Sequence, residues 1–407
     1  MTTTSSGIAR TSSYSIDSQA EKASDSGTIQ RTLAATSNDA ASGTAVPSVS
    51  GGTIANAPPP LASFDGGSQS DIVWRNTNGD AGIWLTNADG SYTPVDFGVI
   101  DNSWTIQGVG DFNGDGKADI LWRNANGDVG EWLSNTGAGY TGFTSTFVDS
   151  IDPSWQIQGV GDFDGDGYSD ILFRQSNGDT GLWLSNPDGS YTPFDFGVVD
   201  NSWKIQGVGD FDGDGMSDIL WRNTNGDTGV WLTNADGSYT PFDFGVVDNS
   251  WKIRGVGDFN GDGQSDILWR NTNGDTGIWL INTDGSYTPV DFGAVDASWT
   301  IQTVGDYNGD GKADILWRNT NGQVGEWLST AGAGLTGFTT PILASIDPNW
   351  VIQGNPPALQ GGTGMSATRL AHAMAAMGAS TASATVAAST EAPLTRLTLA
   401  SPARALA

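Results

Sequence analysis

Residues Gly110 to Asn124 read GDFNGDGKADILWRN. The phrase returns as GDFDGDGYSDILFRQ from Gly161, GDFDGDGMSDILWRN from Gly209, GDFNGDGQSDILWRN from Gly257 and GDYNGDGKADILWRN from Gly305. A weaker copy, ASFDGGSQSDIVWRN, begins at Ala62. The first loop residue of each copy stands at 63, 111, 162, 210, 258 and 306, so the spacings are 48, 51, 48, 48 and 48 residues. Self-similarity at a fixed period of this length decides the architecture, because each copy is one structural unit.

Each copy reads as four short strands. Strand A is exemplified by Trp104–Phe112, strand B by Asp119–Arg123, strand C by Gly277–Leu280 and strand D by Tyr191–Val198. Asn-Gly pairs such as Asn126-Gly127 and Asn225-Gly226 separate B from C, and Asn-Gly is a favoured two-residue hairpin turn. Asp-Gly stands between C and D in four copies, at Asp89-Gly90, Asp188-Gly189, Asp236-Gly237 and Asp284-Gly285. Four antiparallel strands per repeat predict an all-β propeller, one blade per copy.

The tryptophans count the blades. Strand A carries Trp104, Trp155, Trp203, Trp251, Trp299 and Trp350. Strand B carries Trp74, Trp122, Trp221, Trp269 and Trp317, with Phe173 in the sixth place. Strand C carries Trp84, Trp132, Trp183, Trp231, Trp279 and Trp327, which exhausts the 17 tryptophans of the chain. The first copy lacks its own strand A, and an isolated Trp350-Val351-Ile352-Gln353-Gly354 follows the last copy. Ring closure explains both facts: the last strand completes the first blade, and a closed ring protects the edges that an open array would expose. The expectation is a six-bladed propeller over residues 58–360. The alternative is a seven-bladed ring that recruits a weak blade from the tails.

The A–B loop has the form D-x-[DN]-G-D-G-x-x-D. It sets side-chain oxygens at positions 1, 3, 5 and 9, and position 7 can add a backbone carbonyl. The five full copies offer Asp111, Asn113, Asp115, Lys117 and Asp119; Asp162, Asp164, Asp166, Tyr168 and Asp170; Asp210, Asp212, Asp214, Met216 and Asp218; Asp258, Asn260, Asp262, Gln264 and Asp266; and Asp306, Asn308, Asp310, Lys312 and Asp314. Calcium takes six to eight oxygens at flexible geometry, whereas magnesium keeps its water. About five calcium ions are therefore expected. An EF-hand is excluded, because an aromatic (Trp122, Phe173) occupies position 12 and a β-rich run follows. In the first copy Ser63 and Gly67 stand where carboxylates belong, so Asp65 and Asp71 alone are not expected to hold an ion.

On these residues the stretch from about Leu61 to Gly354 resembles the FG-GAP/VCBS repeats of integrin α-chain propellers and of many bacterial surface and secreted proteins. The Phe-Gly pair stands at Phe97-Gly98, Phe196-Gly197, Phe244-Gly245 and Phe292-Gly293, while Gly-Val-Gly-Asp replaces the Gly-Ala-Pro half. The resemblance implies calcium binding and a role in adhesion or ligand recognition. It names no ligand, and integrin propellers have seven blades.

Composition narrows the partners. The formal net charge is −29, from 46 acidic and 17 basic residues, which argues against nucleic acid and anionic membranes. No apolar run approaches the ~18–20 residues that cross a bilayer. A monomer is expected. There is no cysteine, so disulfides and thiolate chemistry are absent. The single histidine, His372, lies in the C-terminal tail, and no nucleophile elbow occurs. A non-enzymatic module is therefore expected. The alternatives are a propeller-based extracellular enzyme and a structural matrix spacer.

The repeats hold two glutamates, Glu131 and Glu326, at places where other copies have Ile, Leu or Val. Surface variation is the simpler reading of them. The repeated Arg75, Arg123, Arg174, Arg222, Arg270 and Arg318 are expected to pair with loop carboxylates. Strand B and C tryptophans are expected to pack between blades, and those of strand A to be partly exposed. Repeated aromatics at inter-blade grooves suit the faces of sugars, so a glycan or a cell-surface protein is the expected ligand. Residues 1–57 and 361–407, rich in Ser, Thr and Ala, read as disordered, with a short helix possible over Ala367 to Met377. The N-terminus lacks the apolar core of a cleavable signal peptide, so a secreted or surface location is expected by a route that reads none.

Overall fold

The computed structural model describes residues 62–330 and 334–353. The expectations for 1–57, for 361–407 and for a helix at 367–377 lie outside the described residues.

Six antiparallel sheets are arranged as the blades of a propeller. Blade 2 runs Trp104–Gly110, Asp119–Asn124, Asp128–Ser134 and Phe143–Ser150 as strands A to D, and blades 3, 4 and 5 repeat that order. Blade 1 is composite. Its strand A is Trp350–Gln353, which pairs with Ile72–Asn76 through Trp74↔Ile352 and Asn76↔Trp350. The structure thus settles the count at six. In blade 6 strand D is split into Phe338–Thr339 and Ile342–Ser345 around Pro341.

Two irregularities recur in every regular blade. Strand A slips by one residue against strand B, between Ile106 and Gly108 in blade 2 and at equivalent places in blades 3 to 6. The extra residue is Gln107, Gln158, Gln206, Arg254 or Gln302. A bulge of this kind re-aims one side chain and increases the local twist. Strand D slips against strand C, and in blades 1, 3, 4 and 5 the slip falls at the Phe-Gly pair: Gly82 faces Asp96 and Ala81 faces Gly98, which leaves Phe97 over. Gly98 sits at φ 74°, a conformation glycine adopts without strain. The bulge throws the phenylalanine into the next blade, where Phe97 meets Trp132 at 5.7 Å and Phe196 meets Trp231 at 5.8 Å.

The core is a series of small clusters between neighbouring blades. One of them joins Phe163, Leu172 and Leu182 of blade 3 to Ile219 and Trp221 of blade 4. Strand B, buried on both faces, is almost wholly inaccessible: Ile120, Leu121, Ile171 and Leu172 are each 0% exposed. The strand B arginines act here too, and not as expected. Arg222 donates to the carbonyls of Trp251, Val247 and Asp248, on the turn into blade 5. Its guanidinium lies 5.0 Å from the centre of the Trp269 ring. Arg75, Arg174, Arg270 and Arg318 lie over the tryptophans of Trp122, Trp221, Trp317 and Trp74 in the same way. The pairing with loop carboxylates is therefore replaced by an inter-blade clamp. The planar cation satisfies carbonyls in its plane and the ring through its face, an arrangement a lysine could not reproduce.

Candidate metal centres

The five full A–B loops share one geometry. Asp111 Oδ2 accepts the Gly116 N–H at 2.7 Å, Asn113 Oδ1 accepts the Asp115 N–H at 2.9 Å, and Asp115 Oδ1 accepts the Lys117 N–H at 3.0 Å. Glycines at positions 4 and 6 take φ values near 69° and 82°, so the chain wraps tightly enough to bring the oxygens of positions 1, 3 and 5 together. In blade 3 one oxygen each of Asp162, Asp164 and Asp166 lies within 4.8 Å of the others, and in blade 4 the same holds for Asp210, Asp212 and Asp218. Burial, and then the charge of Asp166, raises the pKa of Asp164; burial also raises Asp162. A pocket of hard oxygens with uncompensated negative charge is the donor set a calcium ion takes. The loops therefore fit the ion that the resemblance implies.

Position 9 differs from the other ligand positions. Asp119 is fully buried. Its Oδ2 accepts the Phe112 N–H at 2.9 Å and its Oδ1 the Ser134 N–H at 2.7 Å. Asp170, Asp218, Asp266 and Asp314 make the same two bonds to strand C and to loop position 2. This carboxylate ties the loop to strand C, and each oxygen keeps a lone pair for an ion. Burial lifts its pKa to about 8 in Asp119, against the lowering effect of the two N–H donors. A bound cation would hold it ionised.

Position 7 was expected to contribute only its carbonyl, and its side chain has a further role. It reaches across to the loop of the preceding blade. The Tyr168 ring covers Gly114, Met216 lies over Gly165 and Gln264 over Gly213. Lys117 and Lys312 cover Gly66 and Gly261 with their methylenes and send their ammonium groups on to carbonyls of the C–D loop, at Asn135 and Gly139 and at Thr330 and Gly334. Position 8 completes the linkage with a backbone bond to the preceding loop. Ser169 N–H donates to the Asp111 carbonyl at 2.7 Å, and corresponding bonds join all six loops into a closed circle through Ser70 and Asp306. No sequence signal marks these bonds, because they are made by backbone.

The two glutamates are not surface variation. Glu131 and Glu326 are 6% and 4% exposed, and each accepts the hydroxyl of a tyrosine on strand D of the next blade, Tyr191 and Tyr92. Burial pushes both carboxyls up to about 7. Where the preceding blade has Leu or Val instead, the tyrosine lies flat on its own strand C tryptophan, as Tyr239 does on Trp231 at 3.8 Å. The glutamate thus changes the tyrosine's position. Beside Glu131 and Tyr191, a cavity of about 270 Å³ between blades 2 and 3 is lined also by Asn113, Tyr168, Asn186 and Asp188. Glutamate, position 7 lysine and Gly-Ala-Gly occur together in the same two repeats. Among the tryptophans, those of strand B are buried, those of strands A and C are mostly half-buried, and Trp350 is buried. Partial exposure is thus not special to strand A.

With this geometry established, comparison places the chain. The FG-GAP-like repeat matches residues 162–221, 210–269 and 258–317, and the FG-GAP repeat matches 104–142. Residues 104–142 and 162–317 are thus FG-GAP and FG-GAP-like repeats. No curated protein matches it. Among solved structures it is similar to a protein from Lactobacillus plantarum, at 12% identity and TM-score 0.42 over 70% of this chain and 89% of the other. It is also similar to the SapL1 lectin in complex with alpha methyl fucoside, at 12% identity and TM-score 0.41 over 69% and 98%. A third is the Dos1 propeller, at 10% identity and TM-score 0.34 over 68% of each. Likenesses this distant say nothing of what this chain binds.

Proposed function

We propose that the protein is a calcium-stabilised binding propeller that works outside the cell, as a secreted or surface module without catalysis of its own. The observation that carries the calcium reading is the convergence of repeated loop oxygens, with three carboxylates within 4.8 Å in blades 3 and 4. In this reading positions 1, 3, 5 and 9 supply side-chain oxygens, position 7 supplies its carbonyl, and calcium supplies the charge that cancels their repulsion. Five ions would move the formal charge from −29 to −19. At ~1 mM calcium and ~0.1 mM affinity, each site contributes about 1.4 kcal/mol by linkage. Five such sites give ~7 kcal/mol, comparable to the stability of a domain. That dependence suits extracellular calcium.

The ligand we infer is a glycan, held in grooves between blades. The cavity beside Glu131 supports it: Tyr168 and Tyr191 supply ring faces, and Asn113, Asn186 and Asp188 supply hydrogen-bonding groups. Several weak sites on one ring gain by avidity. The tests are metal content per chain with thermal melting before and after chelation, and a glycan array run beside a panel of hydrolase substrates. A metal-free chain whose melting ignores chelator would overturn the calcium reading. Turnover of a hydrolase substrate would overturn the non-catalytic one.

A further inference from the structure

The described residues hold 11 lysines and arginines. Eight are engaged: six arginines with the inter-blade turns, and Lys117 and Lys312 with their C–D loops. The other three are Lys204, Lys252 and Arg254. All are exposed, and among the described residues none has a hydrogen-bond or ion-pair partner. In a chain of net charge −29, its free propeller cations fall on one element type, strand A of blades 4 and 5, Trp203–Gly209 and Trp251–Gly257.

These are the innermost strands, which line the central channel. The channel encloses a cavity of about 590 Å³ lined by Arg254, Gln158, Gln206, Gln302 and Gln353, while Lys204 and Lys252 stand on the same strands, exposed and outside that lining. Arg254 occupies the bulge of blade 5, where Ile253 pairs with Trp269 and Gly255 with Leu268. The other blades place glutamine there. At the position of Lys204 and Lys252 the other blades have Thr105, Gln156, Thr300 and Val351. The turns leading into strand A of blades 4, 5 and 6 carry Asp200, Asp248 and Asp296. Each accepts a serine N–H, at 2.8, 2.8 and 2.9 Å, and each is drawn to a strand B arginine, Arg174, Arg222 or Arg270. Burial lowers the pKa of Arg270, the charge of Arg254 lowers it further, and Asp296 opposes both.

We propose that Lys204, Lys252 and Arg254 form a binding site for an oxyanion, a carboxylate, sulfate or phosphate group carried by a ligand that enters the central channel from the side of the turns into strand A. Two ammonium groups supply charge, and the guanidinium fork gives two parallel N–H donors to such a group. The glutamine amides continue the polar lining inward. The site lies at the opposite end of strand A from the calcium loops, so it stands apart from the calcium reading.

The repeats provide variants that preserve the fold. Lys204→Thr, Lys252→Thr and Arg254→Gln each install the residue a sister blade already carries. The full calcium-loaded chain is titrated calorimetrically at low ionic strength with sulfate, glucose 6-phosphate, glucuronate and neutral glucose. The expected result is saturable one-to-one binding of at least one charged probe and none of glucose. The triple variant should bind at least tenfold more weakly, with unchanged melting temperature and calcium content. Preference among the three anions identifies the group the site takes. The proposal fails if no charged probe saturates, if glucose binds equally, or if the triple variant binds as the parent does.

Discussion

The first A–B loop, Ser63 to Asp71, and the five that follow occupy the same corner of their blades with different chemistry. Asp71 accepts the Phe64 and Thr86 N–H groups, each at 2.7 Å, just as Asp119 accepts those of Phe112 and Ser134. Ala118 N–H still donates to the Ser63 carbonyl at 2.7 Å. The acids at positions 1 and 5 are gone, and a serine and a glycine replace them. The comparison separates two tasks that one motif combines. Position 9 and the loop-to-loop backbone bond build the corner; positions 1, 3 and 5 gather charge for a cation.

The broadest test of that separation uses protons. Burial raises Asp71 from 3.8, and Glu131 and Glu326 from 4.5, to about 7. A carboxyl held above its unfolded pKa stabilises the fold fully below that unfolded value, and the contribution is lost as pH rises through the folded one. In saturating calcium, stability should therefore fall between pH ~4 and ~7 by way of these three groups. Replacing both glutamates by Leu, the residue blade 3 carries as Leu182, should flatten most of that slope in urea unfolding series. An unchanged slope would mean the glutamates are not protonated in the fold.

Next in size is removal of the corner itself. Asp71→Ala and Asp218→Ala each orphan two buried N–H groups, at about 1–3 kcal/mol apiece. Both variants should lose about 3 kcal/mol or more in chelator. Only Asp218→Ala should also lose an ion by metal analysis. A much smaller loss for Asp71→Ala would break the equivalence.

Smaller effects attend the charge cluster. Copying the first loop into blade 4, as Asp210→Ser with Asp214→Gly, should remove one calcium per chain and about 1.4 kcal/mol at ~1 mM calcium. The difference from the parent should shrink in chelator, where repulsion no longer has an ion to offset it. The converse exchange, Ser63→Asp with Gly67→Asp, should add one ion and lower stability in chelator, because Ser63 is buried and the new carboxylates join Asp65 and Asp71 without an ion to offset them. Gly67 is not among the positive-φ glycines, and a Cβ there meets the movable Asp65 carboxylate at 2.9 Å and Gln69 Oε1 at 3.5 Å. Failure to gain an ion would show that more than the missing acids distinguishes the first loop.

What was legible in the sequence was whatever repeats in side chains. The spacing of the loops, the tryptophan positions and the stranded Trp350–Gly354 specified six blades and their closure. Strand D was read to the residue at Tyr191–Val198, while strand A ends at Gly110 rather than Phe112. The bulge behind the Phe-Gly pair was not legible, because a register slip is a property of two strands. The arginine contacts are illegible for a similar reason: acids are nearest in sequence, but the carbonyls and the tryptophan that hold Arg222 lie on the following blade and the turn into it. Glu131 and Glu326 looked exposed as polar replacements of apolar residues. Each has a tyrosine partner some 60 or 234 positions away in the chain, which inspection of one repeat does not show.

The composite blade has a consequence for chain order. In sequence Gln353 of blade 1 corresponds to Gln107 of blade 2, and Ala62 corresponds to Gly110. Only the pair corresponding to Gly108-Val109 separates them. A circular permutant, spliced there by Gly-Val and opened instead at the turn Asp200-Asn201, would thread the same six blades in a new order. Its own first and last strands would then lie in separate blades, and the cost of losing the hand-stitched seam could be measured directly.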